Sequence, residues 1–591
     1  MTDITTALQG FSTETDKAAF ITHRFTELDS MREEALSQWS EIEAYRYATD
    51  THSLPDGSAF SHSTHLPVVA SIAQDLEAIL KQVTTPHDDY FTFKPMDLEA
   101  ASLDQRDKVV AYLKSRFIVN GYEKELGKLR SDLITYGNCF SHTFFVDESV
   151  GDKQGYIGPT TKRISPYDVV FNPTASSFDD TAKIVREVVS LGELKKRGTS
   201  GLIDPLAVES ILDGRANYKP TRYGRNKDAQ YTPAGFGSYE DYMISGYIEL
   251  LWFYGSVYDQ VGQELHENRV IVVADNVHLL MDEPIATYDG KANIFHSVWQ
   301  QQPDNLYGLS PLANIIGINW QINHRENAKS EALDRLIKPD VVHLGDVVEV
   351  FDDETGQTTY IAPEGGGVQE LAVNTQFFSF DLQIDRLTHA ARAAARLPSD
   401  LTGFRSQGEK TLGEVTALTD GGMRGFIDKA SDFEKTTLEN HLSASIQLAR
   451  DNFTLAFTIP SQGDSGFLQM LEITKDDLSV NGILIPQGAR RFARKNQILG
   501  TLTQLSATPL AQVIGMHISG KGGSKLVEEL LEMHGSGLFS EYAQIIEQAE
   551  AQQIANQAEQ EVAAATAQPT QTELSLNSAI DQASVQTTSG A

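Results

Sequence analysis

The chain is 591 residues long, 40% hydrophobic and 22% charged, which is enough apolar content for sizeable cores and, by length, for roughly three to four domains of about 150 residues. A formal net charge of −33 and a pI near 4.8 exclude a protein that grips nucleic acid by global attraction. A single cysteine, Cys139, excludes an intrachain disulfide. The first residues, Met1 to Thr6, lack a positive and an apolar signal region. No apolar run approaches the roughly 20 residues that span a bilayer; the nearest, Tyr247–Tyr258, contains Glu249 and Ser256. A soluble protein with no membrane partner is the expectation.

In chain order, Phe20–Tyr47 reads as helix, with Trp39, Tyr45 and Tyr47 as packing anchors. Leu66–Val83 reads as a second helix because Val69, Ile72, Ala73, Leu76, Ile79 and Leu80 recur at three-four spacing. Asp104–Gly137 reads as helix and ends at the breaker Tyr136-Gly137-Asn138. Strands are expected at Cys139–Val146, Arg163–Phe171, Tyr247–Tyr254 and Arg269–Ala274, with Asn172-Pro173 as a turn. The elements do not alternate as βαβ units, so the fold class is α+β.

The most informative stretch follows. Tyr307-Gly-Leu-Ser-Pro311 is a turn in which Ser310 caps a helix and Pro311 takes its first position; the helix runs to Lys338, where Pro339 stops it. Val341–Ile361 reads as strands around an Asp-Asp-Glu-Thr-Gly turn at 352–356. Ser379–Arg396 is helical again, and Leu397-Pro398 closes it. Helix, small β-module, helix describes a protruding stalk with a β-rich tip. Glu409–Asn452 has long helical potential interrupted by Gly421-Gly422 and Gly425. Phe453–Ile459 and Asp477–Ile485 read as strands, and helices resume from Phe492 to about Gln568. No Lys or Arg occurs beyond Lys525, and after Pro569 the composition is that of a disordered tail.

Catalytic signals are near misses. Gly515–Lys521 has P-loop spacing, but Gly522 replaces the Ser or Thr that would ligate Mg²⁺. Cys139 and His142 face opposite sides of a strand, so a buried structural cysteine is the better reading. His87-Asp88-Asp89 has no complementary ligand cluster, and Asp352-Asp353-Glu354 lacks calcium-loop spacing. No catalytic, cofactor or metal residue is assigned, and no enzyme is expected.

Cations stand out in the second stalk helix, where Arg386, Arg392 and Arg396 are followed by Arg405, Lys410 and Arg424. Arg392 and Arg396 are spaced to share a helix face. Salt bridging against abundant acid and sparse contact with DNA are the two readings of this set. The first stalk helix is apolar at Leu312, Ile315, Ile316, Ile318 and Trp320, then polar on all sides from Gln321 to Glu331. Such a helix needs support from other helices, ion pairs or a neighbouring subunit.

The order of these elements resembles the portal protein (head-to-tail connector) of tailed bacteriophages, in the podovirus style. The landmarks are Arg163-Ile-Ser-Pro-Tyr-Asp-Val-Val-Phe-Asn-Pro173, Tyr307-Gly-Leu-Ser-Pro-Leu312, Ile337-Lys-Pro-Asp-Val341, Ala395-Arg-Leu-Pro398 and Ile485-Pro-Gln-Gly-Ala489. The resemblance covers roughly residues 20–550. It implies a wing at 1–306, a first stem helix at 307–338, a clip at 339–378 and a second stem helix at 379–397. It further implies a channel loop and long wing helix at 398–452, wing β segments at 453–491, α-helical crown helices at 492–568 and a disordered tail at 569–591.

A homo-oligomeric ring of about 12 copies at a capsid vertex is implied, in the virion and, during assembly, in the host cytoplasm. Its implied partners are the terminase large subunit, the tail adaptor protein, the major capsid and scaffolding proteins, and double-stranded DNA passing without sequence specificity. Arg386, Arg392, Arg396, Phe404 and Arg405 are the implied channel-facing residues, and Asp352, Asp353 and Glu354 the implied docking residues of the clip. No cofactor is implied. Twelve copies at −33 carry roughly −400 formal charges before pairing and screening, a wall that guides a duplex without trapping it. The competing readings are another structural virion assembly protein, a capsid or tail subunit, and an acidic hydrolase.

Overall fold

Strand alternation decides where the body of the protein puts its core. In Tyr247–Tyr258, Leu250 and Tyr254 point to one side while Leu251 and Phe253 point to the other, and both sets are buried. A sheet buried on both faces must be covered twice, and this one is. A computed structural model of the chain describes residues 8–9, 14–47, 64–86, 90–95, 103–148, 155–213, 247–258, 265–287, 290–337, 341–352, 357–361, 366–370, 379–397, 425–452, 457–462, 468–479 and 482–489. The architecture is mixed helix and strand, in keeping with the expected α+β class. By its contacts the chain divides into two units, 1–459 with 470–490, and 460–469 with 491–591. The expected crown helices, tail, Phe404, Arg405, Gly515–Lys521 and His87-Asp88-Asp89 lie outside the described residues.

The first strands are β1 (Leu8–Gln9), β2 (Phe91–Pro95), β3 (Asn138–Asp147), β4 (Ile157–Ile164) and β5 (Val169–Phe171). They are followed by β6 (Lys183–Ser190), β7 (Tyr247–Tyr258), β8 (Leu265–Ala274), β9 (His278–Pro284), β10 (Ile294–Val298), β11 (Gln300–Gln302) and β12 (Asn305–Leu309). The large sheet has the order β5-β6-β7-β8-β9, antiparallel throughout, with β1 parallel to the end of β7. Helix α1 (Glu14–Met31) covers one face through Ala18, Ile21 and Phe25 against Ile184, Leu251, Phe253, Ile271 and Val273. The other face packs Val185, Leu250, Val270 and Val272 against Phe140, Leu194, Val208 and Ile211. A second sheet, β10-β3-β4, stands beside it.

Several boundaries depart from the expected ones for identifiable reasons. The single helix expected at Phe20–Tyr47 is α1 and α2 (Glu33–Tyr47), broken at Arg32. The buried Arg32 guanidinium donates to the carbonyls of Pro166, Tyr167 and Val169 at 2.8, 2.6 and 2.7 Å, which fixes the break to the turn between β4 and β5. Trp39 packs edge-on to Tyr136, Tyr167 and Tyr307, as an anchor should, whereas Tyr47 is 48% exposed and holds the Arg46 guanidinium over its ring. Helix α3 (Val68–Thr84) buries its expected stripe except Ile79, which is half-buried. The helix expected at Asp104–Gly137 is α4 (Leu103–Asn120) and α5 (Tyr122–Tyr136), separated by Gly121 at φ +70°.

Arg163–Phe171 is not one strand. Pro166 opens a 3₁₀ turn at Pro166–Asp168 that carries the chain from the smaller sheet to the larger. Strand β6 has no clear signature in the sequence because Lys183, Arg186 and Glu187 interrupt its apolar run. Each is satisfied: Lys183 donates to the Phe178 carbonyl, Arg186 to Asp168, and Glu187 accepts from Arg197 and Trp252. Helices α6 (Leu191–Thr199) and α7 (Pro205–Asp213) complete that part of the body.

Asp477 does not lie in a strand: it caps the helical turn Lys475–Leu478 by accepting from Thr474, and only Gly482–Pro486 is extended. That strand pairs antiparallel with β2, closing a late segment onto an early one. The strand expected at Phe453–Ile459 runs instead from Phe457 to Gln462.

Candidate interaction surface

The projection begins at a root that two separate sequence signals build together. Gly137, at φ +71°, ends α5, and a Cβ there would run into the backbone of Leu309. Asn138 beside it donates to the Gly308 carbonyl at 3.0 Å and accepts from the Gly308 N–H at 2.8 Å. Ser310 donates to the Ile134 carbonyl at 2.7 Å and accepts from the Leu312 N–H at 3.0 Å, the cap expected from the sequence. The breaker at 136–138 and the turn at 307–311 are two halves of one joint.

From that joint runs α8 (Ala313–Ile337). Its buried side is short: Ile315, Ile316, Asn319 and Ile322, continuing from Leu312 in the turn before it. Of the supports expected for the polar middle (other helices, ion pairs or a neighbouring subunit), the first is present within the chain itself. Asn319, Asn323 and Asn327, four residues apart, accept the backbone N–H groups of Val69, Leu66 and Thr64 at 3.1, 3.0 and 2.7 Å. The Val69 N–H belongs to the first turn of α3, where an intrahelical partner is lacking. Asparagine every fourth residue was the signal, and composition alone hid it.

Beyond Ile322 the core stops. Among the described residues from Asn323 to Ala390, no side chain is buried. Four short strands form the tip: β13 (Val341–Leu344) with β16 (Gly367–Glu370), and β14 (Val348–Asp352) with β15 (Gln357–Ile361), both pairs antiparallel. The β-module thus extends past the expected limit at Ile361. Helix α9 (Phe380–Ala394) returns along α8, and Lys329 bonds Asp381 at 2.6 Å across the pair. Exposed large apolar residues gather here: Trp320, Leu336, Ile337, Val342, Leu344, Val348, Val350, Phe351, Ile361 and Leu382.

The candidate cations divide. Arg386 and Arg396 are exposed and Arg392 is half-buried. Arg392 and Arg396 do not share a helix face, because α9 ends at Ala394 and Arg396 turns left-handed at φ +56°. The Leu397 N–H bonds the Arg392 carbonyl at 3.1 Å and the Arg396 N–H the Ala393 carbonyl at 3.0 Å, a Schellman closure in which arginine occupies the usual glycine position. Asp352 ends β14, and Asp353 and Glu354 lie outside the described residues.

In the body, a constellation unnoticed in the sequence brings Ser141, His441 and Tyr122 into line. Ser141 Oγ lies 2.6 Å from His441 Nε2, and Tyr122 Oη lies 2.8 Å from Nδ1. His441 stands on the long helix α10 (residues 425–452), next to a π-helical stretch at Glu434–Leu438. All three side chains are buried, so the arrangement holds helix to sheet rather than facing a substrate. Burial pulls His441 down to about 3 and pushes the Cys139 thiol up to about 12, far from a thiolate nucleophile. Among the described residues no group of His, Cys, Asp or Glu could hold a metal ion, and no helix is long and apolar enough to cross a membrane. Compared with known proteins, the chain matches no protein-family model and no curated sequence.

Proposed function

We propose that the chain is the subunit of a portal, a ring at one capsid vertex through which double-stranded DNA is packaged and later ejected. One observation carries the reading: a body with a core on both sheet faces bears a helix–β–helix projection in which, among the described residues from Asn323 to Ala390, no side chain is buried. Apolar side chains left open on such a scale call for partners, and copies set side by side around an axis supply them along α8 and α9. In this reading residues 1–306 with 425–491 form the wing, 307–338 and 379–397 the stem, and 339–378 the clip. The clip docks the terminase motor and then the tail adaptor, while the channel passes DNA without bond-making chemistry.

Charge fits that task. The stem segments 307–338 and 379–397 hold seven Lys or Arg and five Asp or Glu, within a chain of net −33. A weakly basic belt in an acidic ring lets a duplex slide, because few phosphates shed counterions to it. Native mass spectrometry with negative-stain microscopy of the purified protein tests the proposal. Rings of about twelve copies with an axial hole are expected; a monomer or dimer at every salt and protein concentration would overturn it.

A further inference from the structure

The tip differs from the helices that carry it in charge as well as in burial. Residues 339–378 hold eight Asp or Glu and no Lys or Arg. On β14 the side chains of Val348 and Val350 share a face, and Ile361 lies opposite Val348 across the ladder. These three are 59%, 45% and 56% exposed. On β13, Val342 and Leu344 likewise share an open face. His343 and Tyr360, on the reverse faces, bring their rings to 5.5 Å, so the ladders meet there and leave both apolar faces outward. Exposed Asp346 stands in the turn between β13 and β14.

We propose that these two faces dock a separate protein through a segment that combines apolar side chains with lysines or arginines. The proposal rests on the portal reading and names the chemistry of the clip's partner. Charge complementarity selects the occupant. A second copy brings the same eight acidic residues and a duplex brings phosphates, so both meet like charge at the tip. The stem helices, nearly balanced in sign, are where copies pack without that repulsion.

The test is fluorescence anisotropy of the full chain at low salt with three labelled probes: a peptide alternating Lys and Val, its Glu–Val counterpart, and a short DNA duplex. Each probe is read against the unaltered chain and two variants. One carries Asp346→Asn, Glu349→Gln and Glu370→Gln at exposed tip positions; the other carries Glu34→Gln, Glu209→Gln and Glu283→Gln at exposed body positions. The Lys–Val peptide is expected to bind, about tenfold more weakly to the tip variant and within about twofold to the body variant.

Equal loss in the two variants means bulk attraction and overturns the inference. So does failure of the Lys–Val peptide to bind, or capture of the Glu–Val peptide or duplex at the tip. Self-association that rises in the tip variant makes a second copy the occupant and overturns it too. Particle mass, measured in parallel, separates the two claims. A chain that stays monomeric sinks the portal reading, while rings with tips indifferent to the basic peptide sink this inference alone.

Discussion

Phe253 and Phe351 are both strand phenylalanines, yet the first is fully buried in the body's large sheet and the second is 61% exposed at the tip. The contrast extends to whole regions. The body covers both faces of its sheet with its own helices and loops, whereas the tip folds two short ladders whose outward apolar side chains, among the described residues, stand exposed. Stability therefore belongs to the body, and the unmet demand for contact belongs to the projection. In the portal reading, a region that folds into defined strands while leaving its apolar residues open is where something outside the single chain docks.

Acid separates the two regions most strongly. In the body, burial holds His142 at about 4 and both His296 and His441 at about 3. Their folded values lie below the unfolded value, so from about pH 6.5 downward the unfolded chain takes up protons that the folded one refuses. Asp132 acts in the opposite sense: burial raises it to about 6 despite its bond to Arg163, so it favours the folded state as pH falls toward 4. Three groups against one leave a net uptake of about two protons, a loss of about 2–3 kcal/mol per pH unit between pH 6 and 4. Denaturant titrations at neutral pH and near pH 4.5, followed by tryptophan fluorescence, measure this. A flat profile would mean that these histidines are solvated.

The two phenylalanines give the next largest effect. Phe253→Ala is expected to cost about 3–5 kcal/mol, through lost burial and the cavity left behind. Phe351→Ala is expected to change the stability of the isolated chain by less than about 0.5 kcal/mol. Equal destabilisation by both would erase the distinction between body and tip.

Much of this division was legible in the sequence. The stripe of α3, the cap at Ser310 and the switch of period after Pro339 are local signals, and each returned as an element near its expected place. What was not legible depends on contacts between distant segments. The break at Arg32 arises because its guanidinium answers three carbonyls more than 130 residues away. The strand at Lys183–Ser190 hides behind charges whose partners lie on other elements. The Ser141–His441 contact joins residues that no spacing rule connects. The candidate cations at the end of α9 were legible, but the face that Arg392 and Arg396 were expected to share does not form, because the helix ends two residues before Arg396.

The joint between the regions offers a sharper cut. Asn138→Ala removes two bonds to Gly308 and leaves buried peptide groups unpaired, at an expected cost of about 2–3 kcal/mol. Asn138→Asp keeps an acceptor for the Gly308 N–H but sets a buried carboxylate oxygen against the Tyr136 and Gly308 carbonyls, so its cost should be at least as large. Because the joint carries the projection, hydrogen exchange should rise in α8 around Asn319 in the alanine variant, with the β6–β8 ladder unchanged. Exchange rising equally in both would show the joint to be part of the body's core.

The smallest expected effect concerns how the projection is closed. Arg396 holds φ +56°, a conformation that costs a residue with a Cβ about 1 kcal/mol. Its reward is the pair of bonds that stop α9 and turn Leu397 inward, where it is 5% exposed. Arg396→Gly keeps the closure and relieves the strain, so it should stabilise the chain by about 0.5–1 kcal/mol in equilibrium unfolding, less whatever glycine gains in the unfolded state. The same substitution removes an exposed cation from the stem. If Arg396 is only a poor helix stop, the variant is more stable and assembles as before. If its charge faces the duplex, as the channel reading requires, rings of the variant form normally and retain less DNA, and the gain in stability is accompanied by a loss in packaging.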